Sequence, residues 1–365
     1  MKKKLLALAI AGAFVAPVAM ADTGNVTIYG QANVSYDAVN NGYTSNSAST
    51  NHVSSNVSRL GFKGSEDLGN GLSATWQIEQ GVNIDNSGAG NTLATRNTFA
   101  GLSSASMGTV LMGRHDTPYK IATRGLDLFF DTVADNRSIM GMTVVGVSED
   151  ARLTDVVAYI SPAMSGVTVA IATVAGAETA ASGTTKGAAW SLTGMYNAGP
   201  VNASLSYQTI DNGTAGTGSL GNILTVGGTD NKATAWKLGG GYTMDALQLN
   251  AVYEKFSSSG AIKSAADRAA WYLAGKYSVS ASDAVKLAYT SAGKVDSKAD
   301  TEATQLSLGY DHSLTKRTSV YALYSKISNK SAQSYTFSQA TSVSGAGAKA
   351  DADPSVWSLG MKHAF

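Results

Sequence analysis

The feature that most restricts this chain is a succession of period-two segments joined by connections that alternate strictly between short and long. Along Val26–Tyr36, the residues Ile28, Gly30, Ala32, Val34 and Tyr36 oppose Tyr29, Gln31, Asn33 and Ser35. Leu60 and Phe62 likewise oppose Arg59, Gly61 and Lys63, and Ala74, Trp76 and Ile78 oppose Thr75, Gln77 and Glu79. Alternation at this period belongs to strands whose two faces meet different surroundings. Strands are expected near 24–38, 52–65, 72–85, 94–104, 107–116, 151–161, 166–176, 187–197, 200–210, 232–243, 246–256, 267–278, 283–294, 302–312, 317–328 and 354–365, sixteen in all. Short turns such as Glu66–Gly71, Ser104–Met107, Pro162–Ser165, Asn197–Pro200, Thr243–Ala246 and Ser313–Lys316 separate them at one end. Longer segments near 39–51, 86–93, 117–150, 177–186, 211–231, 257–266, 295–301 and 329–353 do so at the other.

Two all-β architectures compete for this pattern. A soluble sandwich buries bulky residues on its apolar face, yet here that face is thin, often Ala, Gly, Val or Tyr, and the mean hydropathy is −0.03. A membrane barrel turns its apolar face to lipid and its polar face to water, has an even strand number in bacterial outer membranes, and segregates short turns from long loops. The connections decide for a 16-stranded antiparallel transmembrane β-barrel. At its end, Trp357, Leu359, Met361, His363 and Phe365 share one parity. This last strand must pair with the first, because an open edge in lipid leaves backbone groups unsatisfied. No segment after the first 21 residues approaches the roughly 18 consecutive apolar residues of a membrane helix.

The first 21 residues carry Lys2, Lys3 and Lys4, an apolar run from Leu5, and Ala19-Met20-Ala21, the pattern of a signal peptide cleaved after Ala21. The barrel is therefore expected over 22–365. Removing those three lysines from the 27 cations leaves 24 against 26 acidic groups, a balance that gives no footing for nucleic acid. Export permits disulfides, but there is no cysteine to form one. Four histidines (His52, His115, His312, His363) stand on separate segments without a short ligand spacing, and no GxSxG elbow occurs. Neither enzyme chemistry nor a cofactor is expected.

Residues 117–150 break the alternation for longer than a connecting loop requires. They hold Phe129-Phe130, the cations Lys120, Arg124 and Arg137, and Asp127, Asp131 and Asp135. A long irregular segment with aromatics and mixed charge is usually functional. It is expected to fold into the lumen and narrow a water-filled channel, with Phe129-Phe130 packing it to the wall.

Taken together, the chain resembles the general porins of Gram-negative bacteria, most closely the β-proteobacterial and Neisserial kind. The likeness rests on Val26-Thr27-Ile28-Tyr29-Gly30, Ser58-Arg59-Leu60-Gly61-Phe62-Lys63-Gly64, Glu66-Asp67-Leu68-Gly69-Asn70-Gly71 and Gly108-Thr109-Val110-Leu111-Met112-Gly113-Arg114. It continues in Ala158-Tyr159-Ile160-Ser161-Pro162 and Gly360-Met361-Lys362-His363-Ala364-Phe365. The resemblance implies passive diffusion of ions and small hydrophilic solutes, a homotrimer in outer-membrane lipid and lipopolysaccharide, and insertion by the barrel-assembly machinery with Phe365 as the terminal-strand signal. The PEFGG-type constriction motif of enteric porins is missing, so pore size does not carry over from that branch.

Parity assigns a basic wall to Arg59, Lys63, Arg96, Arg114 and Arg152, with Arg96 opposite Phe99 and Arg114 sharing a face with Val110 and Met112. Glu79 is expected among them as a counter-ion, faced by Asp127, Asp131 and Asp135 from the loop. Guanidinium stays charged at any relevant pH, and rings of Arg or Lys favour anions, so a mild anion preference is expected. Trp76, Trp190, Trp236, Trp271 and Trp357, with Tyr36, Tyr159, Tyr272 and Tyr310, are expected to supply interfacial girdles, and Tyr29 to face inward. Two other functions fit the same barrel. One is a substrate-specific channel; the other is an adhesin or antigen, against which the aromatic-poor loops 211–231 and 329–353 argue.

Overall fold

A computed structural model describes residues 26–43, 45, 47–85, 93–141, 149–174, 187–211, 232–259, 267–296, 298–337 and 349–365. The signal peptide over 1–21 and its cleavage site at Ala21 lie outside these residues, as do 86–92, 142–148 of the long segment, all of 177–186, most of 211–231 and 257–266, and 338–348 of the segment 329–353.

Alternating sequence becomes a closed antiparallel barrel. Its strands are β1 (Val26–Asn40), β2 (Ser49–Ser55), β3 (Arg59–Gly69), β4 (Leu72–Gly81), β5 (Thr98–Ser104), β6 (Gly108–Asp116), β7 (Arg152–Ile160), β8 (Val167–Val174) and β9 (Ala188–Ala198). They continue as β10 (Val201–Asp211), β11 (Lys232–Met244), β12 (Leu247–Ser259), β13 (Arg268–Ser278), β14 (Asp283–Ala292), β15 (Ala303–Ser313), β16 (Thr318–Asn329) and β17 (Ser355–Ala364). β2 and β3 together occupy one of the sixteen positions, both pairing with β1. The strand expected to run unbroken over 52–65 is interrupted at Asn56-Val57-Ser58, where Val57 has φ 55°. Ser58 replaces the lost ladder by accepting from the Asn33 N–H at 2.9 Å and donating to the Asn33 carbonyl at 3.0 Å.

β17 closes the ring on β1 in the register Gln31 to Ala364 through Asn40 to Ser355. Beyond it, Gly30 N–H donates to the Phe365 carbonyl at 3.0 Å, and Phe365 N–H donates back to Gly30 at 3.2 Å. Among the described residues no strand edge is then left to lipid. Outward positions carry Leu205, Trp236, Leu238, Leu273, Leu287, Leu308 and Leu359, all exposed, while the intervening Ser204, Lys237, Tyr272, Lys286 and Ser358 are buried inside. The stacks Tyr207–Trp236, Trp271–Tyr289 and Tyr324–Trp357, with centroids 4.5, 5.3 and 4.8 Å apart, belong to the aromatic belt. Tyr272 does not: it lies on the inward parity with Ala270 and Ala274.

The interior is not polar throughout. Val252, Ala270, Ala274, Ala288, Leu323, Ile327 and Val356 face inward and form one apolar cluster with Leu126, Phe129, Val133, Ile139 and Met140 of the long segment. A segment folded into the lumen needs one dry side to hold it, and this wall supplies it. Residues 331–337 turn inward as well, adding Tyr335 and Phe337 to the same cluster.

Candidate pore constriction

The infolded segment is more regular than its sequence implied. It begins with α1 (Pro118–Arg124), where Thr117 accepts from the Lys120 N–H and Pro118 stands in the first turn, a position that needs no N–H. A short 3-10 turn follows at Asn136–Ser138, capped by Asp135. α1 packs against β8 to β11, and Tyr119 N–H donates to Ser191 Oγ at 2.9 Å.

From there the segment is tied to the wall strand by strand. Asn250 Nδ2 donates to the Leu126 carbonyl at 2.7 Å, and Tyr272 Oη accepts from Leu128 N–H at 2.9 Å while donating to Asp127 at 3.1 Å. Gln305 Nε2 holds the Ala134 carbonyl at 3.0 Å, and Asn33 Nδ2 holds that of Asp131 at 2.5 Å. On the return, Arg268 donates to Ile139, Glu254 accepts from Gly141 N–H, and Lys237 pairs with Asp150 at 2.5 Å. Two inward glycines make the space. A Cβ on Gly309 would lie 2.8 Å from Phe129 Cε1, and one on Gly239 would lie 2.6 Å from Leu126 Cδ1.

The charged residues sort themselves against this frame. Arg59 reaches Asp131 at 2.9 Å and Arg96 reaches Glu79 at 2.5 Å, with Tyr29 Oη also donating to Glu79 at 2.9 Å. Glu79, on the inward parity of β4, thus meets Arg96 and Tyr29. Arg152 pairs with Asp116 at 3.1 Å, and Lys120 approaches the same carboxylate from α1 at 2.8 Å. Asp135 is bound by Arg137 at 2.8 Å and Arg124 at 3.4 Å, and the Arg124 guanidinium lies 3.6 Å from the Phe130 ring centre. Phe129 alone of the aromatic pair is buried against the wall; Phe130 supports the arginines.

Three expected positions differ. Arg114 stays outside this group: by register it shares the face of Met112, and its Nε donates to the Thr95 carbonyl at 3.2 Å. Arg96 reaches Glu79 from a bent segment ahead of β5, because the strand starts only at Thr98, and Phe99 turns inward onto His115 with ring centres 5.3 Å apart. Asp127 faces no arginine closely. It accepts from the backbone N–H groups of Phe129 and Asn136 at 2.9 and 3.0 Å, and so shapes the segment. Lys63 is exposed on the inward parity of β3, 5.2 Å from the Tyr29 ring centre.

Asp116, Lys120, Arg124 and Arg137 were not assigned to the site from sequence. The last three sit in the segment's own irregular stretch, where no period fixes direction, and Asp116 looked like the end of a strand.

Comparison with known proteins follows from this geometry. The sequence profile described as "Gram-negative porin" matches residues 7–332. Over the full length of both chains the protein is 29% identical to outer membrane porin protein 32 of Delftia acidovorans. It is 34% identical to the major outer membrane protein P.IB of Neisseria sicca across 46% of this chain and 45% of that one. Among solved structures, the anion-selective porin from Comamonas acidovorans superposes with a TM-score of 0.76 at 23% identity, covering 93% of this chain and 99% of the other.

Proposed function

This chain belongs to the Gram-negative porin family, and we propose that its barrel passes ions and small hydrophilic solutes across the outer membrane by passive diffusion, with a mild preference for anions. The observation that carries the preference is a difference in depth around the infolded segment. The side chains of Arg59, Arg124 and Arg137 keep 21, 15 and 13% of their surface open, whereas their partners Asp131 and Asp135 keep 1% and none; Arg96 and Glu79 keep 17 and 10%, and Arg152 and Asp116 are equally open at 14 and 15%. A solute in the eyelet therefore meets guanidinium edges, with the Asp131 and Asp135 carboxylates recessed behind them. The solved structure titled as an anion-selective porin has the same fold, which agrees with this reading.

The preference is one of degree. Two unit charges about 8 Å apart interact by roughly 0.5 kcal/mol in water and about 2 kcal/mol at an effective dielectric of 20. In water one surplus cation thus attracts anions about twofold and repels cations about as much, and physiological salt screens this over about 8 Å. The test is the reversal potential of single channels under a KCl gradient. A sign belonging to a cation-preferring pore would overturn the reading.

Further parts of the reading rest on family membership. They are a homotrimer in contact with lipopolysaccharide, insertion by the barrel-assembly machinery with Phe365 as its signal, and release of residues 1–21 after Ala21. Family membership alone carries the first of these, since the outward apolar surface suits lipid and subunit contacts alike. Cross-linking of native membranes and N-terminal sequencing of the mature chain test them.

A further inference from the structure

We infer that the barrel wall holds a structural cation seat behind the infolded segment, built at the closing seam by Asp37, Ser54, Asn56 and Ser358 and suited to a single Na⁺ ion.

Asp37 is fully buried on the inward parity of β1. Among the described residues no cation pairs with it, and one hydrogen bond reaches its carboxylate, from Ser35 Oγ to Oδ2 at 3.0 Å. Ser35 spends its proton there, so it accepts from Asn56 Nδ2 at 2.8 Å. Tyr321 Oη gives its own proton to Asn33 Oδ1 at 3.1 Å, so it too accepts from Asn56, at 3.2 Å. Both amide hydrogens of Asn56 are thus used, which fixes the orientation of that amide and leaves Oδ1 a bare acceptor. Asp37 Oδ1 is bare as well, and the Ser54 and Ser358 hydroxyls have no partner among the described residues. They flank the carboxylate from either side: Ser358 faces Asp37 across β17, and Ser54 faces Ser35 across β2. All four residues are at most 1% exposed.

Four unpartnered oxygens around a sequestered negative charge call for a positive one. Buried charges are paired or coordinate a metal, and a water molecule, though it can fill such a pocket, leaves the charge standing. His52 is the register partner of Asp37 on β2, but its Nε2 is bonded to Thr50 Oγ1 at 2.8 Å. An all-oxygen set selects a hard ion. Among the described residues no group of three or more histidines and carboxylates able to hold a metal occurs, and the one carboxylate here balances a single positive charge. Val39 and Val356, the next inward residues of β1 and β17, belong to the apolar cluster that includes Val133 of the infolded segment, so the seat is shut off from channel water. The ion ties β2, β1 and β17 together where the ring closes. Through Asn56, Tyr321 and Asn33 it also braces the Asp131 carbonyl. Lying behind the segment, it goes beyond the selectivity proposed above and does not depend on it.

The test is thermal unfolding of the barrel, refolded without lipopolysaccharide, in mixtures of NaCl and choline chloride at one ionic strength, for the wild type, Asp37→Asn and Ser358→Ala. An ion bound by the folded chain alone stabilises it in step with the logarithm of its concentration. The seat requires the wild-type melting temperature to rise by at least about 3 °C as Na⁺ replaces choline. It requires Ser358→Ala, which removes one ligand, to need about tenfold more Na⁺ for the same rise. Asp37→Asn keeps the shape and removes the charge, and should melt alike in both salts. Superimposed wild-type curves overturn the seat, as for a pocket filled by water alone. So does a Na⁺ dependence that persists in Asp37→Asn or is unchanged in Ser358→Ala. Should Asp37→Asn fail to fold, the wild-type and Ser358→Ala curves decide between the same two results.

Discussion

Arg59 and Asp131, 72 positions apart in the chain, meet at 2.9 Å, and their contact joins the β3 wall to the tip of the infolded segment. Breaking a buried pair that leaves its partner uncompensated costs roughly 3–5 kcal/mol. Asp131 keeps Arg124 at 3.6 Å and Arg137 at 3.9 Å, so Arg59→Gln falls well short of that loss. Removing about 0.5 kcal/mol of attraction at the eyelet should lower the anion preference about twofold. Reversal potentials at 0.1 M KCl check it, and an unchanged ratio counts against Arg59 as a selectivity residue.

Gly309→Val places a branched side chain where a bare Cβ already comes within 2.8 Å of Phe129. Overpacking of this kind costs roughly 1–3 kcal/mol. The melting temperature should fall and the conductance change as the segment shifts. Adding Phe129→Ala empties the space, so the double variant should recover the wild-type conductance more closely than Gly309→Val alone.

Asp127 supplies a pH dependence. Burial, followed by the neighbouring Asp135, pushes its carboxyl up to about 6, against the opposing effect of the Phe129 and Asn136 N–H groups. The folded chain therefore holds a proton that the unfolded chain, with its ordinary value of 3.8, has released. Stability falls as pH rises between about 4 and 6 and levels off above, by roughly 2–3 kcal/mol at about 1.4 kcal/mol per unit. Burial alone would also raise Asp135, but Arg137 and Arg124 hold it below the usual carboxylate range, so its slope is opposite and lies below pH 4. Asp127→Asn should flatten the melting profile between pH 4 and 6.

Tyr272→Phe removes a hydroxyl that accepts from Leu128 N–H and donates to Asp127. Hydrogen bonds to charged groups contribute roughly 1.5–3 kcal/mol. The barrel should form normally, with a lowered melting temperature and added open-channel noise as the segment loosens. Quiet openings with a wild-type melting curve would show that the other ties suffice.

The strands and their order could be read from the sequence because a period of two is a strong local signal, and Arg59, Glu79 and Lys63 inherited their direction from it. Arg96 could not be placed that way, since it precedes its strand and bends to Glu79. α1 is only seven residues long, too short for a helical period to show, although Thr117-Pro118 marks its start. Tyr272 was legible in principle, because Trp271 and Leu273 fix its neighbours outward. The apolar inner wall was not, as alanine and valine suit lipid and loop alike.

Pairing Gly30 with Phe365 has a consequence for biogenesis. The partners at the seam come from the earliest and latest stretches of the barrel, so no hoop can shut until synthesis and export are over. A chain cut before Ser355 should wait with both rims bare, captured by helpers or degraded, and never reach the bilayer; its fractionation with membranes would refute this.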